Sequence, residues 1–146
     1  MYGFDGGKGV KGRKRQVIVD SLGLLLKVVV AEAHGGERVL AAYALMELLE
    51  DYPEVLEKVE VLWVDAGYSG DKFALVVWLM LQARVEVMQR LTEQFEVLPK
   101  RWVVERTFGW LNWFRRLSKD YERLPEMSEA TIYAAMTRIM LRRLTA

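Results

Sequence analysis

The sequence predicts an α/β domain in which helices flank a mixed sheet. Short β-branched segments alternate with longer segments whose apolar residues recur at helical spacing, in the order β-β-α-β-α-β-α-α. The chain has 146 residues, a length that suits one domain with one core. Its 52% hydrophobic and 28% charged residues are ordinary for a folded protein, which argues against disorder over the whole chain.

The N-terminal part predicts an arm followed by a hairpin. Residues 1–15 hold five of the 11 glycines among basic side chains, which is typical of a flexible loop. Gln16–Asp20 and Leu24–Val30 are apolar and β-branched, and they flank Ser21-Leu22-Gly23. We therefore predict two paired strands joined by a tight turn, with Asp20 as a turn former.

The middle of the chain predicts a helix, a strand and a second helix. Apolar residues in 36–50 recur at helical spacing. Val59–Val64 is a short apolar strand that stops at the polar, glycine-containing loop 65–70. Asp71 follows that loop, and we predict that it caps a helix running to about Ala83.

The C-terminal part predicts one more strand and two helices. Val85–Gln89 is the strand. After Pro99, one helix is predicted from Trp102 to Ser118, and another from Ser128 to Leu144 with Ser128 as its cap.

The composition excludes several kinds of site. The absence of cysteine excludes a disulfide framework, a thiolate metal site and a cysteine nucleophile. The single histidine, His34, excludes a multi-histidine zinc site within one chain, and we interpret it as a surface loop residue. Leu22–Leu26 and Val28–Ala31 are the longest apolar runs, and Lys27 separates them, so no membrane span is predicted. These features fit a cytoplasmic protein.

Charge is distributed unevenly although the net charge is only +1. Residues 1–16 carry a net +4, residues 37–60 a net −5 and residues 100–146 a net +5. Two basic ends around an acidic middle indicate a surface that faces a polyanion such as nucleic acid. Solvated helix faces and a mobile basic tail explain the same pattern, and charge alone leaves both readings open.

Two carboxylates are the candidates for chemistry. Asp65 lies where an apolar strand meets a glycine loop, a usual place for a site, although it could simply cap a turn. Glu105 lies among arginines on the predicted helix, although it could simply pair with Arg101. Together they offer hard oxygen ligands for Mg²⁺ and phosphoryl chemistry, which normally uses three or four carboxylates.

The predicted 102–118 helix would have two distinct sides. The side with Glu105 would carry Arg101, Phe108, Asn112, Arg115, Arg116 and Lys119, and the core side Val103, Trp110, Phe114 and Leu117.

Five segments resemble a known family. They are 11–15 (KGRKR), 19–25 (VDSLGLL), 65–70 (DAGYSG), 101–111 (RWVVERTFGWL) and 115–122 (RRLSKDYE). Together they resemble the C-terminal catalytic half of bacterial insertion-sequence transposases of the DDE class, in the group with an insertion-sequence 4/5-type domain. The resemblance implies a ribonuclease-H-like fold and a triad of Asp, Asp and Glu that holds Mg²⁺ or Mn²⁺.

The resemblance assigns roles by position. Asp65 matches the second aspartate of the triad, Glu105 the glutamate, and Arg101 the arginine that precedes it. The family's signature tyrosine is replaced by Leu98 and its later lysine by Asn112. No residue matches the first aspartate, which lies on a strand upstream of the basic segment. We therefore expect a sheet that lacks its first strand.

The resemblance also implies the activity and its partners. The intact enzyme would hydrolyse phosphodiester bonds at transposon ends and join the freed 3′ hydroxyl to target DNA. Its partners would be double-stranded DNA, an upstream transposase half and further copies in a homo-oligomer, in the bacterial cytoplasm. The residues expected to contact DNA phosphates are Lys8, Lys11, Arg13, Lys14, Arg15, Lys100, Arg101, Arg106, Arg115 and Arg116.

The missing aspartate gives two interpretations of the chain. It is the second half of a transposase with a split reading frame, or a decayed remnant. We expect residues 1–15 to form the arm and residues 16–146 the catalytic portion, inactive alone. The alternative function is an inactive DNA-binding regulator, or a relic, derived from a transposase.

Overall fold

The structure is a mixed α/β fold, as the sequence predicts. The computed structural model describes residues 3–5, 10–33, 36–88 and 99–146. The strands are β1 (Gly3–Asp5), β2 (Val10–Val19), β3 (Leu25–Glu32), β4 (Val61–Asp65) and β5 (Arg84–Met88). The helices are α1 (Glu37–Asp51), α2 (Pro53–Leu56), α3 (Asp71–Leu81), α4 (Pro99–Asn112) and α5 (Pro125–Leu144), with 3₁₀ turns at Ala66–Tyr68 and Arg115–Leu117.

The described strands form two separate sheets, whereas the sequence predicted a single mixed sheet. β1, β2 and β3 form an antiparallel sheet in that order, and β4 and β5 form a parallel pair. Within the described residues, β2 and β4 do not pair with each other. The antiparallel and parallel pairs of a mixed sheet are therefore both present, but no pairing joins β2 to β4 within the described residues.

Strand β2 begins at Val10, six residues before the predicted start at Gln16. Its first residues pair with β1, Gly12 opposite Gly3, and its later residues pair with β3, Arg13 opposite Glu32. The prediction of a flexible loop is therefore wrong for residues 10–15. Pairing with strands on both sides outweighs the weak strand preference of glycine and lysine. Lys8 lies outside the described residues, as does His34.

The predicted hairpin between β2 and β3 is confirmed. The Oδ1 atom of Asp20 accepts hydrogen bonds from the backbone N–H groups of Leu22 (2.9 Å) and Leu24 (2.8 Å). Gly23 adopts a left-handed conformation with φ +82°, which glycine tolerates without a steric penalty. Asp20 is thus a turn former, as predicted.

The antiparallel sheet lies between two hydrophobic clusters. Val17 and Val19 of β2 pack against the cluster formed with α4 and α5, whereas Ile18 packs against the cluster formed with α1 and α3. The first cluster comprises Leu25, Val28, Val30, Leu111, Leu117, Ile132, Ala135 and Met136; the second comprises Ala41, Leu45, Val64, Phe73, Val77 and Ala83. Side chains alternate across β2, so this strand contributes to both cores.

Helix α4 ends at Asn112, six residues before the predicted end at Ser118. The N–H groups of Trp113 and Phe114 bond to carbonyls three residues back, which tightens the chain and turns it out of the helix. Because the helix stops, Arg115 and Arg116 do not continue the helix face that carries Glu105.

Two predicted helix caps are also wrong. Gly70 is the N-cap of α3, and Asp71 lies in the first turn. Helix α5 begins at Pro125, whose fixed φ suits a first helical position, and Ser128 is buried inside the helix. No helix among the described residues is long and apolar enough to cross a membrane.

Side chains of α5 cover the outer edge of β3. The backbone N–H of Val28 donates to the hydroxyl of Tyr133 (3.1 Å), and that of Val30 donates to Oε1 of Glu129 (2.7 Å). These bonds satisfy groups that an edge strand would otherwise offer to another strand. This edge of the antiparallel sheet is therefore closed by a helix.

Candidate active site

Asp65 is the last residue of β4, and its side chain is exposed. Its Oδ1 atom accepts a hydrogen bond from the backbone N–H of Ala66, which begins the 3₁₀ turn. The residue before it, Val64, is buried in the core and fixes the end of the strand. Asp65 therefore caps a turn, as one reading of the sequence predicted, and its carboxylate lies at the strand end, where its role as a site residue stays a prediction.

Glu105 lies in the middle of α4, also with an exposed side chain, and the structure brings it to the same groove as Asp65. This central groove has a volume of about 340 Å³. Its lining residues are Arg15 to Val19, Ala41, Leu45, Leu62 to Asp65, Tyr68, Phe73, Met88, Val104, Glu105 and Phe108. The sequence placed the two carboxylates on separate elements, and in the fold both line the same groove.

Two strands contribute much of the lining of the central groove. They are residues 15–19 of β2 and residues 62–65 of β4. The groove is mainly apolar, since Val17, Ile18 and Leu45 line it. The interruption between the two sheets is therefore an apolar slot with a carboxylate at Asp65.

Helix α1 holds the loop that follows Asp65. The Nε atom of Arg38 donates to the carbonyl of Gly67 at 3.0 Å. The Oε2 atom of Glu37 lies 3.2 Å from the position that a Cβ on Gly67 would occupy. A Cβ at position 67 would therefore require the Glu37 carboxylate to shift by a few tenths of an ångström. The sequence indicated short neighbours after Asp65 but not this contact with α1.

A hydrogen bond between distant residues lies in the lining of the groove. The hydroxyl of Tyr68 donates to Oε1 of Gln16 at 2.8 Å, and its ring packs against Phe73 with centroids 5.7 Å apart. Burial raises the pKa of Tyr68, and the carboxylates of Glu37 and Asp65 act in the same direction, against the hydrogen bond to Gln16. Sequence reasoning missed both partners, because nothing local links residues 16 and 68.

A second opening, the side cleft, meets the central groove at this hydrogen bond. Its volume is about 640 Å³. It is lined by residues 12–16, Ala33, Glu37, Asp65, Tyr68, Phe108 and residues 118–120. Lys14 and Lys119 in this lining bring cationic groups near Asp65.

Two of the arginines predicted to contact DNA are engaged within the fold. The side chain of Arg13 is 1% exposed, and it forms an ion pair with Asp120 at 3.2 Å. It also donates to the carbonyls of Glu122 (3.1 Å) and Arg123 (2.6 Å). Arg15 donates to the carbonyl of Leu117 at 2.9 Å. These bonds hold the segment after α4 against β2.

The other predicted cations differ in their surroundings. Arg106 lies between Trp102 and Trp110, 4.9 Å from each ring, and donates to the carbonyl of Leu22 at 2.7 Å. Arg116 pairs with Glu122 at 2.6 Å, Lys14 with Glu37 at 3.6 Å, and Lys100 lies 4.0 Å above the ring of Trp63. Arg115 is exposed, whereas the side chains of Lys11 and Arg101 are not among those described.

The donor set of the central groove suits a hard divalent cation in kind. Asp65 and Glu105 supply carboxylate oxygens, which Mg²⁺ and Mn²⁺ prefer. In the part of the chain that the structure describes, no three Asp, Glu, His or Cys side chains are grouped so that they could hold a metal ion. The described residues therefore offer two ligands of the right chemistry.

Comparisons with known proteins identify the family of the chain. A model of the family described as "Transposase DDE domain" matches residues 62–142, more than half of the chain. A protein of Burkholderia cepacia named "Putative transposase for insertion sequence element IS402" is 29% identical over 129 residues. The match covers 82% of this chain and 58% of that relative. No solved structure gives a significant match. The chain belongs to the family of transposase DDE domains.

Proposed function

We propose that this chain forms the C-terminal portion of the catalytic domain of an insertion-sequence transposase. The observation behind the proposal is that Asp65 and Glu105, which lie on different elements, line the same groove. The family match spans both residues. Because β2 begins at Val10, we propose that the catalytic portion also begins there rather than at Gln16.

The reaction is phosphodiester hydrolysis at transposon ends followed by transfer of the freed 3′ hydroxyl to target DNA. Asp65 and Glu105 would hold Mg²⁺ or Mn²⁺. When bound, such an ion supplies Lewis-acid stabilisation of the charge that develops on the phosphoryl oxygens. The hydrogen bond from Arg38 to the carbonyl of Gly67 would hold the loop that follows Asp65 in place.

The ribonuclease-H-like fold would be completed by a strand in the central groove. β1 pairs with residues 10–12 on the edge of β2 opposite β3. An antiparallel strand on that same edge, in register with β1, would lie beside residues 13–19. That position is the central groove, between β2 and β4. An aspartate on this strand would reach the groove that Asp65 and Glu105 share, and this is the position of the family's first aspartate.

The chain spans 58% of the length of the relative, so the activity of a whole transposase is proposed for the longer assembly. Double-stranded DNA, an upstream half and a homo-oligomer remain the predicted partners. Among the predicted DNA contacts, we propose that Lys14, Lys100 and Arg115 contact phosphates. Arg13, Arg15 and Arg106 would instead stabilise the fold through the bonds described above.

The test is metal-dependent nicking of supercoiled plasmid DNA by the 146-residue protein. A peptide covering the segment of the IS402 relative immediately upstream of the matched region is added, and the same segment is also fused to the chain. We expect nicking only when that segment is present, and loss of nicking in D65N and E105Q. A peptide or fusion with the aspartate replaced by asparagine is the matched control.

Three outcomes would overturn the proposal. Nicking by the chain alone would remove the need for the added strand. Nicking that survives E105Q would remove the glutamate from the site. DNA binding without nicking by both the peptide complex and the fusion would favour the inactive regulator.

A further inference from the structure

We infer that the side-chain amide of Gln16 donates a hydrogen bond to a phosphodiester oxygen of a DNA strand bound beside Asp65, and that Tyr68 is the positioning residue that orients this amide. The inference rests on the proposed function, because it takes DNA as the ligand. It adds a recognition contact that the two carboxylates do not supply.

Gln16 lies where the central groove and the side cleft meet. Both openings are lined by Gln16, Asp65 and Tyr68 together. Because the proposed upstream strand would occupy the central groove, DNA would reach the Asp65 carboxylate through the side cleft, which Gln16 also lines.

The hydrogen bond from Tyr68 fixes which part of the Gln16 amide is available. The Tyr68 hydroxyl donates to Oε1, so the acceptor end of the amide is used. The two N–H donors on Nε2 have no hydrogen-bond partner among the residues that the structure describes. Tyr68 itself is held by its ring contact with Phe73, so its hydroxyl is a fixed reference for the amide.

The surroundings favour an anionic acceptor such as phosphate. The side cleft is lined by four cationic side chains, Arg13, Lys14, Arg15 and Lys119, and by three anionic ones, Glu37, Asp65 and Asp120, so its lining carries one positive charge in excess. A neutral donor beside Asp65 can bind a phosphate oxygen without neutralising the carboxylate that is proposed to hold the metal. An arginine or lysine at position 16 would compete for that carboxylate.

The experiment measures binding of a fluorescent DNA duplex of about 30 base pairs to the full chain by anisotropy over a range of KCl concentrations. Gln16→Met removes the donor at similar size, and we expect Kd to rise about tenfold. Gln16→Glu places a negative charge there and should raise Kd further. Gln82→Glu is the matched control, since Gln82 is exposed and lines neither opening, and its Kd should stay within about twofold.

A double-mutant cycle tests the positioning role of Tyr68. Tyr68→Phe should raise Kd about threefold in the wild type and have no further effect in the Gln16→Met background. The slope of log Kd against log[KCl] should stay the same in Gln16→Met, because a neutral donor releases no counterion. If Gln16 had only a structural role, its replacement would displace Lys14 and Arg15 on the same strand and would change that slope.

Each contrary result overturns a defined statement. An unchanged Kd in Gln16→Met would overturn this inference and leave the proposed function intact. An equal effect of Tyr68→Phe in both backgrounds would overturn the positioning role. Absence of DNA binding by the wild-type chain would overturn both this inference and the DNA-binding part of the proposed function.

Discussion

The hydroxyl of Thr107 donates a hydrogen bond to the backbone carbonyl of Gly23 at 2.7 Å, although 84 residues separate them. Thr107 is fully buried, and the neighbouring Arg106 donates to the carbonyl of Leu22. The turn between β2 and β3 is thereby fixed to the helix that carries Glu105. Two sequence motifs that look independent, 19–25 and 101–111, form one contact that sets the orientation of α4 relative to β2.

Gly23→Ala should destabilise the fold by about 2 kcal/mol or more. Gly23 has φ +82°, and an added Cβ would lie 2.9 Å from Oγ1 of Thr107. Urea denaturation would measure the loss. Gly109→Ala is the control, since it lies in α4 with no atom within 4 Å of an added Cβ, and it should stabilise by about 0.5–1 kcal/mol. Equal stability of both variants would contradict the tight contact at Gly23.

Thr107→Val should cost about 1–3 kcal/mol, because the shape is kept while the buried carbonyl of Gly23 loses its donor. Thr107→Ser keeps the hydroxyl and should recover part of that loss. In thermal unfolding, the melting temperature should decrease from the wild type with threonine to the serine variant and then to the valine variant. The prediction fails if valine at 107 is as stable as threonine.

Arg13→Met should destabilise the protein by about 3–5 kcal/mol, because it removes the cation paired with Asp120 and the donor to the carbonyls of Glu122 and Arg123. Arg115→Met changes an exposed guanidinium and should stay within about 0.5 kcal/mol. Chemical denaturation of both variants is the measurement. If the only role of Arg13 were to contact DNA, the two variants would be equally stable.

Glu129→Gln should make stability less dependent on pH. Burial raises the pKa of Glu129 above its ordinary value, although the hydrogen bond from Val30 opposes this. A raised pKa means that the stability contributed by the protonated carboxyl is complete below about pH 4.5 and is lost as the pH rises through the folded-state pKa. Glutamine stays neutral and still accepts from Val30, so E129Q should gain stability relative to wild type as the pH rises.

Unfolding curves collected between pH 4 and pH 8 would show this difference. Glu54→Gln, on an exposed residue of α2, is the control for loss of one negative charge, since Glu54 is not among the charges that raise the pKa of Glu129. An E129Q variant whose stability parallels that of wild type at every pH would contradict the role of burial at Glu129.

The sequence predicts which elements form better than it predicts where they begin and end. Asp65 could be located because a strand end and a glycine loop are local signals, and the alternating strand and helix patterns identified the α/β class. The start of β2 at Val10 could not be predicted, because pairing with β1 and β3 is a non-local effect. The end of α4 at Asn112 was missed because the helical pattern continues past it in the sequence.

Contacts between distant residues were also beyond sequence reasoning. Arg13 and Arg106 belong to basic segments that are typical of DNA-binding proteins. In the structure, each donates to carbonyl oxygens from another part of the chain. A charged side chain in a sequence gives no sign of which carbonyls will surround it. The ribonuclease-H-like identity of the fold and its first strand remain predictions.

Asp65→Asn separates the observed role of Asp65 as a turn cap from its proposed role as a metal ligand. Asparagine can still accept the hydrogen bond from Ala66, so stability should change by less than about 0.5 kcal/mol. Asp65→Ala loses the acceptor as well and should cost about 1 kcal/mol. Both variants remove a negative oxygen ligand, so both should lose any increase in melting temperature that Mn²⁺ gives the wild-type chain.

Glu105→Gln is the companion variant, since its side chain is exposed on α4 and lines the same groove as Asp65. We expect it to abolish the Mn²⁺ effect with little change in stability without metal. If Mn²⁺ stabilises D65N and E105Q as much as it stabilises the wild-type chain, the ion binds elsewhere. In a shared site, the loss of either ligand must weaken binding.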